Sequence, residues 1–250
     1  MGASSRYKFK LTTLVLTAFL WELASFAAGA KYFPHLWMVI PDLFLVSIKF
    51  TFWQNLGVTL WLSILALFFG TICATIFGVA IALKKSGESA TKGFVNFLRS
   101  MPSLVLLPLL IASIGSSAQT AVLLGTFVVT FQLIIYVIRG VRQTEPRLID
   151  AVKIISMPAY SRILFLYLPS TISITGTGIR LSASRAFGTI IAAGILAGTP
   201  GLGSSLLLAE SSANYPRVFS YVIVMGITGS LIYNIFGKIE KKFVHWRVSI

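Results

Sequence analysis

Long apolar stretches alternate along the chain with short segments that are basic or contain glycine and proline. A helix needs about 20 apolar residues to cross the hydrocarbon core of a bilayer. The pattern predicts six membrane-spanning helices, at about residues 11–30, 57–83, 102–116, 119–138, 173–197 and 218–236. The third stretch is short and contains Pro102 and Pro108. We therefore expect it to be tilted, kinked or only partly exposed to lipid.

The first apolar stretch is interpreted as a retained span rather than a cleaved signal peptide. Its basic start and the small residues of FAAGA suit a signal peptide. The stretch is nevertheless longer than the apolar core of such peptides, about 7–15 residues, and Trp21 and Glu22 interrupt it.

The segment IPDLFLVSIKFTFWQNLG, which leads into the second predicted span, is aromatic and mildly amphipathic. It is typical of a helix lying at the outer membrane interface. An ordinary belt of anchoring aromatic residues would have the same composition, and the pattern does not separate the two.

Composition supports one all-α integral membrane domain over residues 1–250. Hydrophobic residues make up 56% of the 250 residues and charged residues only 11%, against about 25% charged in soluble domains. The net charge of +14 does not indicate nucleic-acid binding, because no soluble basic segment interleaved with aromatic residues is present. Basic residues instead collect in cytoplasmic loops.

The distribution of Lys and Arg predicts that both termini are cytoplasmic. Lys31, Lys49 and Arg217 flank the predicted spans on one side, and Arg180 and Arg185 fall inside the fifth span. The other side carries Arg6, Lys8, Lys10, Lys84, Lys85, Lys92, Arg99, Arg139, Arg142, Arg147, Lys153, Arg162, Lys238, Lys241, Lys242 and Arg247.

The chain contains few residues suited to catalysis or metal binding. Cys73 is the single cysteine, so no intrachain disulfide can form. His35 and His245 lie near opposite ends of the sequence, and a metal site needs several converging ligands. We therefore expect no catalytic, cofactor-binding or metal site in this chain.

The segment LIDAVKIISMPAYSRILFLYLP, residues 148–169, is too charged for lipid and too apolar for a solvated loop. Apolar residues at helical spacing predict a short helix that ends near Ser156 and Pro158, with a second helix after the break. An amphipathic helix of this kind lies on lipid or docks in the groove of a partner.

This segment resembles the cytoplasmic loop of type I ABC importer permeases, whose motif is E-A-A-x-x-x-G, nine residues, then I-x-L-P. Asp150, Ala151 and Val152 stand for E-A-A, and Ser156 stands for the glycine. Leu166, Leu168 and Pro169 complete the motif at the family spacing. The glycine position matters most. Glycine adopts the backbone conformation of this turn freely, whereas Ser adopts it only with strain. If Ser156 does not adopt it, the turn would be made at Pro158 instead.

The resemblance covers nearly the whole chain. LRSMPSLVLLPL is similar to the R-x-x-P-x-x-x-x-x-P-L run of these permeases, and Gly178-Ile179-Arg180 is similar to their G-x-R segment. GTPGLGSS, residues 198–205, lacks the lysine of a P-loop and is interpreted as an outer turn. The tripeptide WEL and the closing IEKKFVHWR resemble the branch that imports nitrate, sulfonates, taurine and related solutes.

The resemblance implies a transmembrane permease subunit of an ATP-driven importer in a prokaryotic inner membrane. Its implied partners are a dimer of ATP-binding-cassette ATPases, which holds the ATP-Mg, an extracytoplasmic solute-binding protein and a second permease copy. The coupling loop spans about residues 140–169, and the residues expected at the ATPase are Asp150, Ala151, Val152, Ser156, Met157 and Pro158.

Three charged residues are predicted deep in the membrane, which is costly unless they pair or line a wet path. Glu22 lies in the first predicted span, and Arg180 and Arg185 lie in the fifth. Glu22 could pair with either arginine and join two helices. Alternatively, the arginines could line the solute path and attract an anion.

Two other functions compete with that of an importer permease. A secondary transporter without an ATPase partner usually shows inverted repeats, and no repeat is visible. A membrane-embedded enzyme needs a converging set of acid, base, nucleophile or metal ligands. The solute stays open among nitrate, sulfonate, bicarbonate and thiamine-precursor types.

Overall fold

The structure, a computed structural model, describes the backbone of residues 3–84 and 88–244, and the side chains of residues 12–84 and 93–242. These parts of the chain fold into α-helices joined by short turns. The helices are α1 Ala3–Ala28, α2 Leu36–Ile48, α3 Phe50–Leu83, α4 Glu88–Ser100, α5 Leu107–Ile114, α6 Ala118–Arg142, α7 Pro146–Ile154, α8 Ala159–Arg162, α9 Leu168–Ala197, α10 Leu202–Ser211 and α11 Tyr215–Val244.

Four helical stretches in the described residues are long and apolar enough to cross a membrane. They are α3, α6, the run from α8 through α10, and α11. A fifth is possible if α4 and α5 form one broken span, since they meet at an angle of 81°. This bend agrees with the kink expected from Pro102. The apolar part of α1, Thr12–Ala28, is shorter than these spans, so six spans follow only if α1 and the broken pair are both counted.

The aromatic segment before the second predicted span is divided between two helices. Helix α2 ends at Ile48, Lys49 is extended with φ −75° and ψ 129°, and α3 begins at Phe50. An ion pair of 2.9 Å between Nη2 of Arg217 and Oδ1 of Asp42 ties α2 to α11. The predicted single interfacial helix is therefore corrected to α2 and the first turns of α3.

Helix α6 lies at the centre of the fold, between α3 and α9. Its buried face carries Leu124 and Leu133, which are fully enclosed, and Ile190 of α9 belongs to the same apolar cluster as Leu124. Small residues let the three helices approach closely. Gly70 of α3 faces Val129, and a Cβ added at Gly70 would lie 2.5 Å from that side chain.

The expected fifth span begins earlier than its apolar pattern suggested. The chain is helical from α8 without interruption through a π-helix, Ile163–Tyr167, into α9. Pro169 removes one backbone donor, and a proline inside a helix normally breaks it. The π-helix lies directly before Pro169. Its wider turn shifts the register of the backbone hydrogen bonds at this point. The helix therefore continues past Pro169.

The glycine-rich segment after α9 is a turn, as expected, and it leads into α10. Gly198 and Gly201 adopt φ of +65° and +132°, which glycine tolerates. The backbone N–H of Leu202 donates to Oγ1 of Thr59 on α3 at 2.8 Å. Thr59 is completely buried, so the start of α10 is anchored inside the helix bundle.

Some residues used to predict the orientation lie outside the described side chains. They are Arg6, Lys8, Lys10, Lys85, Lys92 and Arg247. His245 lies outside the described residues as well. The cytoplasmic position of both termini stays a prediction.

Candidate functional site: an exposed coupling segment and a polar cavity

Helix α7 ends in a left-handed turn at Ser156. The N–H of Ser156 donates to the carbonyl oxygen of Lys153 at 3.0 Å, and the N–H of Met157 donates to that of Val152 at 3.1 Å. This pair of bonds defines a Schellman motif, whose left-handed position usually holds glycine. Ser156 has φ +51°, so the serine adopts the conformation expected of the family glycine, and the turn is not transferred to Pro158.

The segment around this turn is exposed and partly apolar. Asp150 and Ala151 are exposed, and Val152 and Met157 are half-buried. Nζ of Lys153 forms an exposed ion pair of 2.8 Å with Oδ1 of Asp150, which contributes little to stability in solvent.

Large apolar side chains lie beside these charges. Ile154, Ile155 and Tyr160 are 83%, 65% and 67% exposed. Pro158 is also exposed and precedes α8. All six residues predicted to contact the ATPase thus lie on one short segment with an uncovered apolar surface.

Glu22 does not contact either arginine of α9. Its Oε2 lies 2.7 Å from Nδ1 of His35, and its Oε1 accepts a hydrogen bond of 2.8 Å from the N–H of Leu36. Trp37 stacks on the His35 ring at a centroid distance of 3.9 Å. The predicted pairing of Glu22 with Arg180 or Arg185 is therefore corrected: Glu22 binds the start of α2.

Arg180 has a different carboxylate partner. Its Nη1 lies 3.3 Å from Oε2 of Glu240 on α11, and its guanidinium stacks over the Tyr233 ring at 3.9 Å. The hydroxyl of Thr177 also donates to Glu240. These contacts join α9 to α11.

Arg185 lies in a polar cavity at the break between α4 and α5. The cavity has a volume of about 240 Å³. Arg99, at the end of α4, and Gln132, on α6, line it together with Arg185. Arg185 forms no ion pair with any carboxylate whose side chain the structure describes. Of the three charged residues predicted in the membrane, Arg185 is thus the one without an ion-pair partner among the described side chains.

Three polar residues of these sites were not predicted from the sequence. Gln132 is an amide in the middle of an apolar helix, which is a detectable signal because a buried amide needs hydrogen-bond partners. His35 and Glu240 lie outside the predicted spans. No group of three His, Cys, Asp or Glu side chains in the described parts of the chain could hold a metal ion.

A family model described as the binding-protein-dependent transport system inner membrane component matches residues 74–245. This match covers more than half of the chain. The chain belongs to this permease family.

Several curated relatives of this permease are transport permeases. It is 23% identical over 195 residues to the putative aliphatic sulfonates transport permease protein SsuC of Bacillus subtilis, covering 78% of this chain and 71% of that protein. It is 22% identical over 200 residues to the taurine transport system permease protein TauC of Escherichia coli, covering 80% and 73%. A glycine betaine/carnitine/choline permease, OpuCB of Bacillus subtilis, is 26% identical over 186 residues, covering 74% and 85%.

Solved structures support the same fold. A chain of the MetNI methionine ABC transporter in an inward-facing conformation superposes with a TM-score of 0.68 at 17% identity. The match covers 79% of this permease and 98% of that chain. The expected type I ABC importer fold is confirmed, as is the resemblance to the sulfonate and taurine branch.

Proposed function

We propose that this permease is the membrane subunit of an ATP-driven importer and that α7 couples it to a separate ATPase. The observation that carries the proposal is the exposed α7 segment, which ends in a left-handed turn at Ser156. An amphipathic helix that leaves Ile154 and Ile155 uncovered fits a groove in a partner protein. ATP and Mg²⁺ would bind the partner.

The coupling segment is connected to the pathway by continuous structure. Helix α8 follows the Ser156 turn after two residues and runs through the π-helix into α9, which carries Arg185. A displacement of α7 by the ATPase would therefore move α9 directly. This connection supports a mechanical role for the α7 segment, in which ATP binding and hydrolysis reposition the helix that lines the cavity.

The proposed assembly contains two copies of this permease, two ATPases and one extracytoplasmic solute-binding protein. One chain with up to six spans supplies half of a pathway, and closed two-fold symmetry is the commonest arrangement of identical subunits. Both termini would lie in the cytoplasm of a prokaryotic cell with the α7 segment, following the distribution of Lys and Arg. Native mass measurement of one permease per two ATPases would contradict this stoichiometry.

The solute is proposed to be small and to carry an anionic group. Arg185 without a described carboxylate partner supports an anion, and relatives are named as sulfonate and taurine permeases. Reconstitution into proteoliposomes tests the importer. Uptake should require ATP, the ATPase and the solute-binding protein together; uptake driven by an ion gradient without ATPase would indicate a secondary transporter instead.

A further inference from the structure

The cavity that contains Arg185 is built at an interruption of the membrane helices. Helices α4 and α5 meet there at 81°, and the connecting residues Ser100–Ser103 form one wall. At about 240 Å³, the cavity is smaller than the range of about 300–1,000 Å³ that accommodates drug-sized ligands. Its volume suits a small molecule.

One side of the cavity is cationic. Arg99 and Arg185 both line it, and neither forms an ion pair with a carboxylate in the part of the chain whose side chains are described. Arg185 is the eighteenth of the 30 residues of α9 and so lies away from both ends of this apolar helix. Both arginine side chains are exposed in the single chain. A cation within a membrane-spanning segment is unfavourable without a counter-charge. An anionic ligand would supply that charge.

A second observation comes from Gln132, on the α6 side of the cavity. This residue is 6% exposed, and its Oε1 accepts no hydrogen bond from the described residues. A buried acceptor without a donor is unfavourable, and such atoms are usually satisfied by protein, water or ligand. A ligand that carries an N–H or O–H group would satisfy Oε1.

The remaining wall is aromatic. Phe127 and Phe131 lie one helical turn apart on α6, with ring centroids 4.8 Å apart, and both line the cavity. An apolar surface of this kind favours contact with hydrocarbon. It therefore suits a ligand with a short carbon body rather than an inorganic ion.

We propose that this cavity is a binding site for a small organic molecule that carries both an anionic acid group and a hydrogen-bond donor, as an aminosulfonate does. The acid group would lie at Arg185 and Arg99, the donor at Gln132 and the carbon body against Phe127 and Phe131. This proposal rests on the proposed function, because it takes the cavity to be part of the solute pathway. Nitrate lacks both donor and carbon body, and a plain alkanesulfonate lacks the donor.

The test is binding to the nucleotide-free permease–ATPase complex in detergent, which requires no coupled hydrolysis. Radiolabelled aminoethanesulfonate is the probe, with unlabelled ethanesulfonate and ethylamine as competitors. Each competitor retains one of the two recognised groups. At neutral pH both recognised groups of aminoethanesulfonate are charged, and a charged hydrogen bond supports at least about a tenfold effect. Ethanesulfonate should compete at least about tenfold less well than the unlabelled probe, and ethylamine should compete less well still.

Two variants and a control complete the experiment. Arg185→Gln should weaken binding of both sulfonates at least about tenfold, and Arg185→Lys should restore part of it. Gln132→Leu should remove the preference for aminoethanesulfonate over ethanesulfonate. Lys238→Gln removes an exposed charge outside the cavity and should bind as wild type does.

The outcomes separate this proposal from the proposed function. Equal competition by ethanesulfonate in the wild type, unchanged affinity in Arg185→Gln, or no binding of the probe would overturn the site. If ATP-dependent uptake of another solute persisted in that case, the importer would stand and only the site would fall. Binding as described without any ATP-dependent uptake would support the site and contradict the importer.

Discussion

Oε2 of Glu22 and Nδ1 of His35 lie 2.7 Å apart, so a carboxylate of α1 is paired with the residue that precedes α2. The adjacent Leu36 N–H also donates to Glu22. The contact fixes the turn between the two helices, and it leaves Arg185 without Glu22 as a counter-ion.

The first prediction concerns this pair. Glu22→Gln and His35→Gln should each lower the thermal unfolding midpoint of the purified protein in detergent, because each leaves a partly buried partner unsatisfied. The double variant should lose clearly less than the sum of the two single losses. Glu22→Gln with Arg185→Gln should be additive; strong coupling there would contradict the assignment of Glu22 to His35.

The second prediction concerns the contact between α9 and α11. Glu240→Gln and Arg180→Gln remove the two charges of one pair, whose atoms lie 3.3 Å apart. A double-mutant cycle should give a coupling free energy of about 0.5–3 kcal/mol. Glu240→Gln with Lys238→Gln is the matched control, since Lys238 is exposed. Zero coupling for the first cycle would show that the pair does not join the helices.

The third prediction concerns the left-handed serine. Ser156→Gly should relieve strain of about 1 kcal/mol at φ +51°. The amide of Met157, which donates to Val152, should then exchange its hydrogen about fivefold more slowly. Ser161→Gly, within α8, should instead destabilise its helix by up to about 0.5 kcal/mol. Faster exchange in Ser156→Gly would contradict the strained turn.

The fourth prediction concerns the close approach of α9 and α10. A Cβ on Gly203 would overlap the carbonyl oxygen of Ile191, and the Gly203 backbone also faces Gly194. Gly203→Ala should therefore cost about 1–3 kcal/mol of stability. Gly226→Ala, with nothing within 4 Å of its added Cβ, should stabilise α11 by about 0.5–1 kcal/mol. The thermal unfolding midpoint in detergent distinguishes the two, and equal effects would contradict the contact.

The sequence predicted those features that depend on local composition. The length of the apolar stretches predicted α3, α6 and α11, and the prolines predicted the break between α4 and α5. The helical spacing of apolar residues, together with Pro158, predicted the end of α7. These signals are local because a helix forms its own backbone hydrogen bonds and needs only a continuous apolar face to lie in lipid.

The pairing of charged residues could not be predicted because it depends on turns and helix register. Glu22 meets His35 through the turn at Gly29, whose φ is +85°. Glu240 lies beyond the predicted sixth span, residues 218–236, yet α11 stays helical to Val244 and carries Glu240 to Arg180. A shift of one helical turn moves a side chain by about 5 Å, which is enough to exchange one partner for another.

The central claim is that α7 transmits ATP hydrolysis to the membrane helices. It is tested most directly by measuring ATPase activity and solute uptake together, in proteoliposomes containing the permease, the ATPase and the solute-binding protein. Ala151→Glu places a carboxylate at the proposed interface, where an unpaired buried charge costs several kcal/mol. The control variant Lys238→Glu places a carboxylate on an exposed residue of α11, outside α7. We expect Ala151→Glu to insert normally and lose both uptake and solute-stimulated hydrolysis, while Lys238→Glu retains them; wild-type uptake in Ala151→Glu would contradict the account.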